Sequence, residues 1–169
     1  TTRGTGGIIG NAQAGCDVRN VRVAGSNSDT EVEIGGIVSE LGKIVQCAGG
    51  VVGQVNNGIK GSTYNFDDIT VENAKMKAKE GAGGLAGTIA TGINVDCSNI
   101  VISNVESGET YSGGLVGTIK SPGAALMASN IKVQNCTFAG DACSAISGDG
   151  KGAFRLSNVL VYKNKYQVT

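Results

Sequence analysis

The stretch Asn99-Ile100-Val101-Ile102-Ser103-Asn104 sets an asparagine at each end of an alternating apolar segment, and Asn130-Ile131-Lys132-Val133-Gln134-Asn135 repeats the arrangement 31 residues later. Relaxing the pattern to Asn or Asp, apolar, any, apolar, any, polar adds Asp68 to Asn73 and Asn158 to Lys163. A second unit interleaves with the first: Gly-Gly, two apolar residues and Gly, starting at Gly6, Gly49, Gly83 and Gly113, with the variants GGIVS at Gly35 and SAISG at Ser144. Gly83 to Gly113 is 30 residues and Gly113 to Ser144 is 31, while Asp68, Asn99 and Asn130 are 31 apart. Two landmarks that keep one period describe a single repeat of about 30 residues.

Each unit is shorter than an ordinary helix and is bounded by Gly, Ser and Asn, so the apolar pairs read as strands. Ile100 and Ile102 share one face, with Val101 and Ser103 on the other. The best helical candidate, Asn73 to Glu80, also alternates, with Lys75, Lys77 and Lys79 on a solvated side. A repeat this short cannot bury its apolar face alone, whereas stacked copies bury a continuous one. The expectation is an all-β chain, a parallel β-helix (β-solenoid) of about five coils, forming one domain over residues 1–169 and open to being a segment of a longer repeat protein.

Register then predicts columns. Ile69, Ile100, Ile131 and Val159 stack inside beneath Val21, and Val71, Ile102, Val133 and Val161 form the next interior column beneath Val23. These are β-branched, as a half-buried pleated wall prefers. By parity Asn73, Asn104 and Asn135 start on the inward side as an asparagine ladder. Gly84 and Gly114 belong to a glycine column that permits left-handed backbone or close approach between coils. Lys75 is set one coil before Glu106. The first third is irregular: Gly35 and Gly49 are only 14 residues apart, and Lys43 to Cys47 is the sole decayed copy of the Asn motif between them, which points to a truncated or distorted coil.

Composition narrows the function classes. Basic and acidic residues number 14 each and are mixed along the chain, so no nucleic acid or acidic membrane is favoured as partner. The longest apolar runs are a few residues, far below the roughly 20 of a membrane span. The start at Thr1, without a basic and apolar leader, reads as a mature product or excised segment. Five cysteines form no C-x-x-C pair, which with the absence of His argues against zinc and for small buried apolar roles. A Cys136–Cys143 loop disulfide is the minority reading.

The Gly-Gly-apolar-Val/Ala-Gly unit, carried by Gly6 to Gly10, Gly49 to Gly53, Gly83 to Gly87 and Gly113 to Gly117 and followed by a strand that starts at Asn or Ser, resembles the GLUG-type repeat of bacterial and protist surface proteins, adhesins and secreted peptidases. Ser39 and the SAISG copy depart from it. The resemblance implies a surface-exposed β-solenoid stalk or adhesive array.

Absence of His removes Ser-His-Asp and Cys-His catalysis. Carboxylates remain: Asp67 and Asp68 with Lys77 or Lys79 are the enzyme candidate, weighed against the simpler reading that Asp68 occupies the Asn column and Asp67 a turn. Gly53 to Ser62 has Ile59 where a phosphate loop needs Lys, and Ser147 to Gly152 lacks the spacing and a following helix, so no phosphate loop, cofactor or metal site is expected. The outward column Arg22, Thr70, Val101, Lys132 and Leu160 is no ice-binding threonine array. Asn135-Cys136-Thr137 is an N-glycosylation sequon that competes with an inward Asn135.

With no catalytic set, function is expected at ends and edges. A stack of about five coils at 4.8 Å spacing is about 25 Å long, and neither end carries an amphipathic capping helix. The leading expectation is a non-enzymatic extracellular or cell-surface structural and adhesive protein, a stalk segment or head-to-tail filament subunit, which associates with itself or with neighbouring repeats and has a glycan or surface ligand as further partner. The rival is a carbohydrate-binding or carbohydrate-cleaving β-helix.

Overall fold

The computed structural model describes residues 4–26, 32–35, 37–38, 43–56 and 62–169. They form an all-β parallel solenoid of three sheets. The first sheet stacks Gly4–Gly6, Cys47–Gly49, Gly81–Gly83, Tyr111–Gly113 and Ala142–Ser144. The second stacks Ile9–Ala12, Val52–Val55, Ala86–Ile89, Val116–Ile119 and Ser147–Gly150. The third is built on the long strands Cys16–Ala24, Tyr64–Ala78, Asn94–Glu109, Ala125–Gln134 and Ala153–Tyr162, and Val32–Gly35, Thr137–Gly140 and Lys165–Val168 complete it. Ladders within the three sheets are parallel, because each coil pairs with the coil before and after it.

The columns have the register expected from the repeat. Val21 pairs with Ile69, Ile69 with Ile100, Ile100 with Ile131, and Ile131 with Val159. Val23, Val71, Ile102, Val133 and Val161 align in the same way. Ile69, Ile100, Ile102, Val71 and Val133 are fully buried, and each such side chain contributes about 1.5–3 kcal/mol by leaving water. In the segment Asn73 to Glu80, Ala74, Met76 and Ala78 are buried and the intervening lysines face outward, as alternation requires.

The first coil is irregular, as expected, but by lengthening rather than truncation. Gly35 does not join the glycine column; it pairs with Lys77 in the third sheet, as the last residue of Val32–Gly35. Gly36 and Ser39 of the GGIVS stretch lie outside the described residues. Ile37–Val38 then pairs antiparallel with Lys43–Ile44, and Val45 and Gln46 return to the stack by accepting hydrogen bonds from Lys79 and Glu80. The coil is therefore lengthened, not truncated: 43 residues separate Gly6 from its partner Gly49. The chain rejoins the ladder in register at Val45, Gln46 and Cys47.

Candidate functional site

The asparagines of the opening motif are corners. Asn20, Asp68, Asn99, Asn130 and Asn158 hold left-handed backbone with φ between 49° and 55°, as do Asn73, Asn104, Asn135 and Lys163. Asn and Asp tolerate this region better than other residues with a Cβ. Each corner turns the chain and shifts parity by one, so Tyr64 and Phe66, then Ile69 and Val71, then Ala74, Met76 and Ala78 all point inward. The motif Asn-x-x-x-x-Asn is one four-residue face of the prism between two corners.

This corrects the inward placement of the second asparagine. Asn104 and Asn135 are exposed and Asn73 is half-buried. Asn104 Nδ2 does donate to Asn73 Oδ1 at 3.2 Å, and Asn73 Nδ2 donates to the Gly25 carbonyl at 3.3 Å. Asn135 does not extend this chain. Asn164 takes over instead, accepting from the Cys136 N–H at 2.9 Å and donating to the Val133 carbonyl at 3.1 Å.

A longer ladder, missed in the sequence, runs along the first corner. Asn99 Nδ2 donates to Asp67 Oδ1 at 2.8 Å, Asn130 to Asn99 Oδ1 at 3.0 Å, and Asn158 to Asn130 Oδ1 at 2.7 Å. The donor always belongs to the later coil. The signal was present in the 31-residue spacing of Asp68, Asn99 and Asn130; what hid it was treating these residues as strand starts rather than as left-handed corners.

Gly84 and Gly114 serve close approach rather than left-handed backbone. A Cβ on Gly84 would lie 2.3 Å from the Gly114 carbonyl oxygen and 2.7 Å from Ile102 Cγ2, and one on Gly114 would lie 2.0 Å from the Ala145 carbonyl oxygen. The fifth copy of the unit differs: Ser144 accepts from the N–H groups of Ile146 and Ser147 and donates to the Ser147 carbonyl, so its last turn is held by a hydroxyl.

The acidic candidates are separated from their lysines. Asp67 lines a shallow lateral groove with Arg19, Asp96, Ser98 and Arg155, whereas Lys77 lies beside Glu106 and Lys165, beyond the intervening Ile69–Glu72 face. The Asp67 carboxyl is held below the usual carboxylate range chiefly by hydrogen bonds from Ser98 Oγ at 2.6 Å and Asn99 Nδ2, with Arg19 adding a smaller attraction. These contacts give Asp67 a ladder role. All five cysteines are free. Cys47, Cys97 and Cys136 are buried, and burial pushes the Cys97 thiol up to about 12 and the Cys136 thiol up to about 11. Among the described residues no cluster of potential metal ligands occurs, and no helix is long and apolar enough to cross a membrane. Part of the stretch tested for a phosphate loop, including Ile59, lies outside the described residues.

The last coil differs from the middle of the stack, whereas the first coil keeps Val18, Val23 and Ile34 buried. Within one interior column Val71, Ile102 and Val133 are inaccessible, whereas Val161 is 40% exposed; in another, Phe66 is 1% exposed and Leu156 44%. Phe154, Tyr166 and Val168 are exposed on the same final coil, and Ile8 at the opposite edge. Among the described residues, none donates to Asn158 Oδ1. Comparison with family models, curated proteins and solved structures finds no match to this chain.

Proposed function

We propose that the chain is an extracellular structural or adhesive β-solenoid, used as a stalk segment or as a head-to-tail filament subunit, with no catalytic activity of its own. The observation that carries this reading is the apolar edge of the last coil, where interior columns buried elsewhere stand open beside unpaired strands. Unpaired strands with an exposed apolar face are a template for further strands. The resemblance of the glycine unit to GLUG-type repeats supports a surface location. Electron microscopy of the intact natural protein tests the reading: rods or filaments of constant width are expected, and compact particles with covered ends would contradict it.

A carbohydrate-binding or carbohydrate-cleaving module is the second reading, favoured by the groove with Asp67, Asp96, Arg19 and Arg155. The aromatic residue among its lining, Phe66, is buried and offers no stacking face for a sugar. A glycan array and a reducing-sugar assay decide it, and silence in both ends it.

A further inference from the structure

At the second corner, which carries Asn73, Asn104, Asn135 and Lys163, the Asn135 rung stands apart. Asn104 Nδ2 donates to Asn73 Oδ1 in the coil before it, but among the described residues the Asn135 side chain has no hydrogen-bond partner. Its corner is held by other groups. The Asn135 backbone N–H donates to the Tyr162 carbonyl at 3.3 Å, and the Asn164 side chain holds the Cys136 N–H and the Val133 carbonyl. Asn135 is therefore an exposed amide on a fixed left-handed turn, with no structural bond to lose. The next residue, Cys136, is buried and its thiol donates to the Gln134 carbonyl at 3.1 Å, whereas Thr137 returns to the surface and is half-buried. Thr137 occupies the outward column in which the other coils place Glu33, Lys75, Glu106 and Lys165, so it is the one uncharged member. Of the chain's 14 asparagines, Asn135 alone is followed two residues on by Ser or Thr. The break in the amide ladder, the change from charge to hydroxyl and the sequon thus fall on one corner of one coil.

We propose that Asn135 is the acceptor of an N-linked oligosaccharide. Asn-x-Ser/Thr marks glycosylation acceptors on surface segments, and here both polar members of the triplet, Asn135 and Thr137, reach the surface while Cys136 anchors the middle inside. Strict alternation sets the sequon against an inward Asn135; the left-handed corner removes that conflict. The donor is an oligosaccharide joined to a polyprenyl diphosphate. Asn135 Nδ2 forms a bond to the anomeric carbon of the first sugar, and the bond from that carbon to the diphosphate oxygen breaks. The diphosphate leaves with the electron pair, and the amide gives up one proton. Asn104 in the coil before and Lys163 in the coil after are both exposed, so a sugar on the corner stands among solvated side chains and leaves the backbone ladders intact. The assignment rests on the extracellular reading given above and adds to it a modified flank.

The test expresses the full chain behind a cleaved secretion signal in cultured eukaryotic cells and maps its peptides by mass, before and after peptide:N-glycosidase. The secreted wild type is expected to carry a glycan on the peptide that spans Asn135, released by the glycosidase with conversion of that asparagine to aspartate. Asn135→Gly, which keeps the left-handed corner accessible, and Thr137→Val, which keeps the β-branched shape, should each lose the glycan completely, whereas Thr137→Ser should retain it. The same variants made in the bacterial cytoplasm should keep the wild-type circular dichroism, which separates loss of the acceptor from loss of the fold. A secreted wild type with Asn135 bare, or a glycan that survives Thr137→Val, would overturn the assignment. The same peptide map of the natural protein is expected to show the glycan, and a bare Asn135 there would also overturn it. Microscopy of the natural protein judges the structural reading separately, so a glycosylated Asn135 on compact particles with covered ends would sink that reading alone.

Discussion

Asn130 donates its side-chain amide to Asn99 Oδ1 at 3.0 Å across adjacent coils, and both residues hold left-handed backbone with φ of 55°. One residue type thus serves as both hinge and rung. Left-handed backbone costs a residue with an ordinary Cβ about 1–2 kcal/mol, and each exposed ladder bond adds at most about 1 kcal/mol.

Asn99→Ala is therefore expected to destabilise by about 1–3 kcal/mol, whereas Asn99→Gly, which keeps the backbone accessible, should cost about 1 kcal/mol less than the alanine variant. Urea unfolding of the two variants measures the difference. Equal losses would show that the corner conformation carries no strain.

Gly84→Ala places a methyl against the Gly114 carbonyl and the Ile102 side chain, both fixed by the stack. The expected loss is about 1–3 kcal/mol or more by overpacking. Val101→Thr, on the outward face one residue from Ile102, should stay within about 0.5 kcal/mol of wild type. Thermal unfolding ranks the two.

Buried thiols make the alkaline limb of stability informative. In the unfolded chain Cys97 and Cys136 ionise near pH 8.5, whereas in the folded chain they hold their protons to about 12 and about 11. The stabilisation this represents is fully present below pH 8.5 and is lost as pH rises from there through the folded values. Cys97→Ala should flatten that limb in pH-dependent urea titrations. In thiol labelling of the native protein the half-buried Cys16 and Cys143 should react ahead of Cys47, Cys97 and Cys136.

The acid limb has the opposite sign. Asp67 is depressed in the folded chain, so its contribution is present above the unfolded value of about 3.9 and is lost as pH falls through the folded value. Asp67→Asn is expected to leave stability near pH 7 almost unchanged and to make the decline below pH 4 shallower. A decline as steep as wild type would mean that the bonds from Ser98 and Asn99 do not favour the charged form.

Much of the architecture was legible in the sequence because stacking makes identical positions neighbours, so a period along the chain becomes a column in space. Ile69, Ile100 and Ile131 needed only the 31-residue spacing to be placed, and Lys75 with Glu106 followed from the same register. The corners were misread because strict alternation was carried through Asn73, Asn104 and Asn135, where a single left-handed residue resets which side faces inward. The irregularity of the first coil was legible, but Gly35 was misread because GGIVS looks like the glycine unit, yet a glycine column is defined by what lies above and below it, and Gly35 has Lys77 beside it. The exposure of Leu156 and Val161 on the last coil was not legible, because it shows only once the ladder register across all the coils is known.

Sedimentation velocity of the unmodified 169-residue chain over a wide concentration range tests the filament-subunit form of the proposed function, as against a stalk segment, most directly. The expected result is a series of oligomers whose frictional ratio rises with mass, as end-to-end stacking requires. A single compact monomer boundary that does not move with concentration would contradict it.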